Sequence, residues 1–118
     1  MSTPSSVFLA IKANLHRDLA FDAINNESVS KVLSLLEQNS DDTEVDSQGN
    51  RCFYLSEVVW DGEDVDTFMK CLRQRPSDYI FLQDFWEYPT HSIHGTWNYS
   101  VWNPGWDSEC GLSFHLIH

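Results

Sequence analysis

Two runs of carboxylates, DDTEVD at residues 41–46 and DGEDVD at residues 61–66, are the densest concentration of reactive groups in this chain. With Glu57 between them they supply nine acids: Asp41, Asp42, Glu44, Asp46, Glu57, Asp61, Glu63, Asp64 and Asp66. The only base in residues 41–66 is Arg51, so this stretch carries a charge of −8 out of a total of −11. Residues 1–40 hold four acids and three bases, and residues 67–118 hold five and three, so the imbalance is local. Carboxylates at this density suit three kinds of chemistry: a helix start, a cation site, or a surface for a basic partner.

The helix start accounts for part of DGEDVD. Asp61 is expected as the cap, with Glu63 and Asp64 in the first turn complementing free amides and the positive helix end, each worth about 0.3–1 kcal/mol. DDTEVD gains nothing from that effect. Calcium is suggested by Glu44, Asp46, Gln48 and Gly49, which echo the start of a calcium loop. Aligning Gly49 with that loop's glycine puts Leu55 where the bidentate glutamate belongs, so no metal is expected there.

A second group of reactive side chains lies near the C-terminus: His91, His94, His115 and His118, with Cys110. HSIH, at residues 91–94, has a spacing that suits two ligands on a helix, yet it falls between Pro89 and Gly95, in an expected loop. A nucleophile pair of Cys110 with His115 or His94 needs a geometry that spacing alone does not supply. No phosphate-cradling glycine loop, HExxH or GxSxG is present. The expectation is a protein that is not an enzyme and needs no cofactor; a small enzyme or metal site using Cys110 and the histidines is the least favoured alternative.

The elements that must position these groups follow from periodicity. TPSSVFLAIKANLHRDL opens with a Thr-Pro helix signal and spaces Phe8, Ile11, Leu15 and Leu19 by three and four, which predicts an amphipathic helix. NNESVSKVLSLLEQN predicts a second, capped by Asn26 and burying Val29, Val32, Leu33 and Leu36. The turn at Gly49-Asn50 joins TEVD to RCFYLSEVVW as a hairpin with a long second strand. Val65, Phe68, Met69 and Leu72 predict a helix near residues 62–74, closed by Pro76. SDYIFLQDFWEYP, GTWNYSVWN and ECGLSFHLIH are β-rich, the last two set around an NPGW turn. The predicted fold is one α+β domain over residues 1–118: an N-terminal helical pair, then an antiparallel sheet with one further helix, its strands mostly after residue 43.

Composition sets outer bounds. A chain of 118 residues with 42% hydrophobic content, five Trp, four Tyr and seven Phe buries enough apolar surface to fold without metal or disulfide help. Three widely spaced cysteines, no CxxC, no membrane-length apolar run and no basic region ahead of residues 7–11 lead to the expectation of a reduced, soluble, cytoplasmic monomer with no membrane partner. Trp97, Tyr99, Trp102 and Trp106, with Phe85, Trp86 and Tyr88, could stack on bases, but the net charge repels phosphates, so direct nucleic-acid binding is not expected.

An acidic surface can itself serve as the ligand of a basic protein. Carboxylates on one face of a strand recur about every 6.8 Å, and helix neighbours three or four apart lie about 5–6 Å apart, spacings that imitate a phosphate row. In size, acidity and the DDTEVD and DGEDVD runs, the chain resembles the small acidic bacterial DNA-mimic proteins, among them one that occupies the DNA-binding surface of histone-like HU. That resemblance implies a basic DNA-binding partner. Clustering, and not the resemblance, selects the nine acids as the contact residues. The alternative partner is a basic nuclease toxin, with this chain as its immunity or inhibitor protein, because steered binding to a basic active site uses the same field.

Overall fold

Residues 5–11, SSVFLAI, are buried from end to end, and that decides their conformation. In the computed structural model, which describes residues 4–85, 91–97, 102–107 and 111–116, Ser5–Ile11 is a strand, β1, not the first turns of a helix. The expected opening helical pair is corrected accordingly: a strand precedes it, and the first helix, α1, spans only Ala13–Asp22. Val7, Leu9 and Ile11 face the helices, while Phe8 and Ala10 face the other way into a second cluster. A strand covered on both faces reads as a continuous apolar run, which periodicity cannot tell from a buried helix.

The remaining order is α2 (Glu27–Asn39), β2 (Asp42–Val45), β3 (Arg51–Val58), α3 (Glu63–Arg73), a 3-10 turn at Pro76–Asp78, β4 (Tyr79–Phe85), β5 (His91–Gly95), β6 (Trp102–Asp107) and β7 (Gly111–Leu116). The class is α+β. Five strands form an antiparallel sheet in the order β2-β3-β1-β4-β5, with β1 at its centre, and β6 and β7 pair in a separate two-stranded sheet. Asn103, Pro104, Gly105 and Trp106, expected as a turn, lie within β6, where Pro104 pairs with Phe114.

All three helices lie on one face of the five-stranded sheet. Leu15 and Leu19 of α1, Val29, Val32, Leu33 and Leu36 of α2, and Val65, Phe68, Met69 and Leu72 of α3 close over Val7, Leu9, Ile11, Phe53, Leu55, Tyr79 and Phe81. Burial of each large apolar side chain contributes about 1.5–3 kcal/mol. The expected apolar faces of α2 and α3 are thus the ones buried, and Asn26 caps α2 by accepting from the amides of Ser28 (3.1 Å) and Val29 (3.3 Å).

Between β1 and β3 the register shifts. Ser5 pairs with Val58 but Val7 pairs with Leu55, so Ser56 and Glu57 together oppose Ser6. This two-against-one bulge restarts the alternation. Val58 returns to the helix-side core, and Glu57 is left exposed. Trp60 then inserts among Phe68 (6.3 Å between ring centroids, edge-on) and Phe81 (5.8 Å), which pins the connection from β3 into α3. Among the described residues no helix is long and apolar enough to cross a membrane.

Candidate partner-binding surface

The nine acids separate into those that hold the fold together and those that do not. Asp46 belongs to the first group. Its Oδ1 accepts from the amides of Gln48 and Asn50, both at 2.9 Å, and its Oδ2 accepts from the Asn50 side-chain amide at 2.9 Å. Asn50 Oδ1 in turn accepts from the amide of Ala13 at 2.9 Å, capping α1, whose own N-cap residue Lys12 provides no side-chain bond. Burial acts to raise the Asp46 pKa, but the bonds from Asn50, Gln48 and Gly49 outweigh it and hold the carboxyl below its usual range.

Asp41 is the second structural acid. Its Oδ2 accepts from the amide of Ser56 at 2.6 Å and from the Ser56 hydroxyl at 2.8 Å, tying the entrance of β2 to the bulge of β3. Those bonds, the amide first, lower its pKa. Asp64 is the third. Its Oδ1 accepts from the Ser28 hydroxyl at 2.7 Å, and its Oδ2 lies 3.9 Å from Lys31 Nζ, so it joins the first turns of α2 and α3.

The helix start differs from expectation. Asp61 is exposed and does not cap α3; the N-cap is Gly62, with φ of 100°, and it has no side-chain cap bond. A positive φ favours glycine because it has no Cβ, and this displaces the cap by one residue from the aspartate. Glu63, Asp64 and Asp66 do lie in the first turn of α3, with Lys70 and Arg73 in its last, so the helix field favours both ends.

Four acids, Glu57, Asp61, Glu63 and Asp66, are exposed, and their carboxylates make no hydrogen bond or ion pair among the described residues. They follow one another along the end of β3, the Trp60-anchored connection and the first turn of α3. Asp41, held against Ser56, lies beside the Glu57 end of this ridge. Glu44 and Asp42 take register positions opposite Cys52 and Tyr54 on β2, the edge of the sheet. Asp46 closes the far end of that hairpin, about 17 Å from Asp41 along an extended strand. The predicted array is therefore a ridge and an edge, not one face.

The bases do not neutralise the ridge. Lys12 Nζ lies 3.6 Å from Asp78, and Arg75 reaches Asp78 (2.9 Å) and Asp18; Arg17 pairs with Asp18, and Lys31 with Glu27 (3.2 Å). Of the eight acids among them whose side chains are described, only Asp64 has an ion-pair partner among the described residues.

The histidine reading changes as well. Residues 91–94 lie on β5 and not in a loop, with His91 at the register position opposite Asp84 and His94 opposite Phe81. His94 stacks on Phe81 with centroids 5.7 Å apart, and its Nε2 lies 2.9 Å from the Ser92 hydroxyl. Cys110 and His118 fall outside the described residues; His115 is placed only by its pairing with Asn103 in β7. Among the described residues Cys71 is a half-buried free thiol, Cys52 is buried, and no three His, Cys, Asp or Glu side chains converge as metal ligands.

Spacing did not reveal the structural work of Asp41, Asp46 and Asp64. Only Asp46 carries a local signal, since an aspartate two residues ahead of a turn amide is the pattern of an Asx-turn. Comparison of the chain with models of protein families, with curated proteins and with solved structures found no match.

Proposed function

We propose that the protein is a non-catalytic, cofactor-free acidic binding module that occupies the DNA-binding surface of a basic protein of the histone-like HU type and competes there with DNA. The observation that carries this reading is the ridge of Glu57, Asp61, Glu63 and Asp66, whose carboxylates are exposed and unpaired among the described residues on either side of the buried Trp60, in a chain of net charge −11. Self-repulsion among such groups is unfavourable in the isolated protein. A partner's Lys and Arg relieve it through charge-assisted hydrogen bonds. A DNA-binding groove already holds those bases at phosphate spacing, and a folded ridge reaches them without the ordering entropy of a disordered acidic tail.

The test is displacement of labelled duplex DNA from an HU-type protein. The wild-type chain is expected to displace it, less effectively as salt rises. The variant Glu57→Gln, Asp61→Asn, Glu63→Gln and Asp66→Asn is expected to compete at least ~10-fold more weakly, each charge-assisted contact being worth about 1.5–3 kcal/mol before the loss of screening and side-chain entropy is deducted. Asp41 and Asp46 stay unchanged because they hold the hairpin. Circular dichroism checks that the variant is folded. A folded variant that competes as well as wild type removes the ridge from the interface. If the wild type itself leaves the DNA bound, the HU-type partner is wrong, and a basic nuclease toxin, with this chain as its immunity protein, takes its place.

A further inference from the structure

The edge strand β2 leaves part of its backbone unpaired. The amide of Asp46 donates to the carbonyl of Asn50 at 3.0 Å, and the register continues through Val45–Arg51, Glu44–Cys52, Thr43–Phe53 and Asp42–Tyr54. In an antiparallel ladder bonded pairs alternate with non-bonded ones, so Glu44–Cys52 and Asp42–Tyr54 exchange bonds while Thr43 and Val45 turn their N–H and C=O groups away from β3. Both residues are exposed, Val45 at 50%, and β2 has no neighbour on its outer side among the described residues. Four backbone groups and an exposed valine therefore line an open edge.

From this edge we infer that β2 receives an extended basic segment of the partner, which adds to the sheet as a sixth strand. The inference rests on the proposed basic-partner reading and names how part of that partner is held. Charge decides the occupant. Asp41, Asp42, Glu44 and Asp46 surround the edge, with Arg51 opposite Val45 as the only base on the hairpin. A second copy of this edge would bring like charges together, which disfavours edge-to-edge pairing. A strand with lysine or arginine at alternate positions places its cations at the register positions of Glu44 and Asp42. Its intervening neutral residues then lie beside Thr43 and Val45, while backbone bonds supply affinity and alternate side chains supply specificity. The opposite edge, β5, carries Ile93 and two histidines and offers no such charge.

The experiment uses the whole chain and a seven-residue peptide alternating lysine with valine and threonine, with a glutamate counterpart as control. Amide hydrogen exchange at Thr43 and Val45 is the readout. The lysine peptide is expected to slow exchange at both amides at least ~5-fold, and the glutamate peptide to leave them unchanged. Thr43→Pro removes one outward donor while sparing the β2–β3 ladder, a placement proline tolerates on an edge strand. It is expected to weaken the lysine peptide at least ~10-fold. Exchange in the wild type needs no variant, so a poorly folded Thr43→Pro leaves the test intact. A lysine peptide that fails to bind, or binds without slowing these two amides, overturns the inference. Displacement of DNA from the HU-type protein is measured alongside. Displacement without edge protection leaves the ridge reading standing alone, and edge protection without displacement supports strand addition while removing the HU-type partner.

Discussion

Gly95→Ala is expected to destabilise the protein by about 3 kcal/mol, lowering its melting temperature by on the order of 10 °C. Gly95 ends β5 with φ of 84°, and a Cβ built there would stand 2.3 Å from the carbonyl oxygen of Tyr79 and 2.9 Å from its carbon. The left-handed conformation alone costs an alanine about 1–2 kcal/mol. The contact is with backbone and not with a flexible side chain, so β5 must move away from β4. Movement there disturbs the bonds from Trp97 N to Tyr79 O (3.1 Å) and from Thr96 N to Pro76 O (2.8 Å), and each lost bond adds about 1 kcal/mol. It also disturbs the position of Trp97 beneath Lys12, whose Nζ lies 5.8 Å from the ring centroid. Gly62→Ala is the control: its φ is 100°, but a Cβ would meet nothing within 4 Å, so only the conformational cost applies. Thermal melts of both variants separate the two effects. A loss at Gly95 no larger than the conformational cost of about 1–2 kcal/mol would mean that the close approach of β5 to Tyr79 does not exist.

The parts of this fold that were legible in the sequence are those whose burial is one-sided. α2 and α3 each bury one stripe, so Val29, Val32, Leu33 and Leu36, and Val65, Phe68, Met69 and Leu72, stand out at helical spacing against polar neighbours. β1 does not. With Phe8 buried on one face and Val7 and Leu9 on the other, its seven residues show no period, and the spacing from Phe8 to Ile11 to Leu15 imitates a helix that in fact begins at Ala13. The NPGW stretch misleads for a related reason: Pro and Gly are turn signals, yet β6 belongs to a two-stranded sheet, where a proline can face the unpaired side.

The acids were legible as a count but not as roles. What divides them is a set of bonds between residues far apart in the chain: Asp41 to Ser56 across 15 positions, Asp64 to Ser28 across 36, and Asn50 to Ala13 across 37. No periodicity encodes such partners, because they depend on which elements the fold brings together. The consequence for function is direct. Charge counted along residues 41–66 overstates the surface open to a partner, since Asp41, Asp46 and Asp64 already have hydrogen-bond donors, whereas Glu57, Asp61, Glu63 and Asp66 have none among the described residues.

Asp46→Ala is expected to cost about 2 kcal/mol at neutral pH, although the residue sits in a turn. The substitution removes all three acceptor bonds of the carboxylate and releases the Asn50 amide that caps Ala13, and a lost helix cap by itself costs about 1 kcal/mol. The effect depends on pH in a direction that follows from the lowered pKa of Asp46. The folded protein holds this proton less tightly than the unfolded chain, so the stabilisation is complete above the ordinary aspartate value of 3.8 and is lost as pH falls through the folded pKa. His16 adds a separate acid sensitivity at higher pH. Burial first, then the charge of Arg51, lowers its pKa below 6.5 despite the bond to Glu37, so protonation of the unfolded chain drains stability as pH drops through that value. This second effect is common to wild type and variant and cancels in their difference. Denaturant unfolding of both proteins at pH 7, 4 and 2.5 should give a stability gap that holds between pH 7 and pH 4 and narrows at pH 2.5. A gap of constant size at all three pH values would show that the carboxylate charge plays no part in the hairpin, and that Asp46 acts there through shape alone.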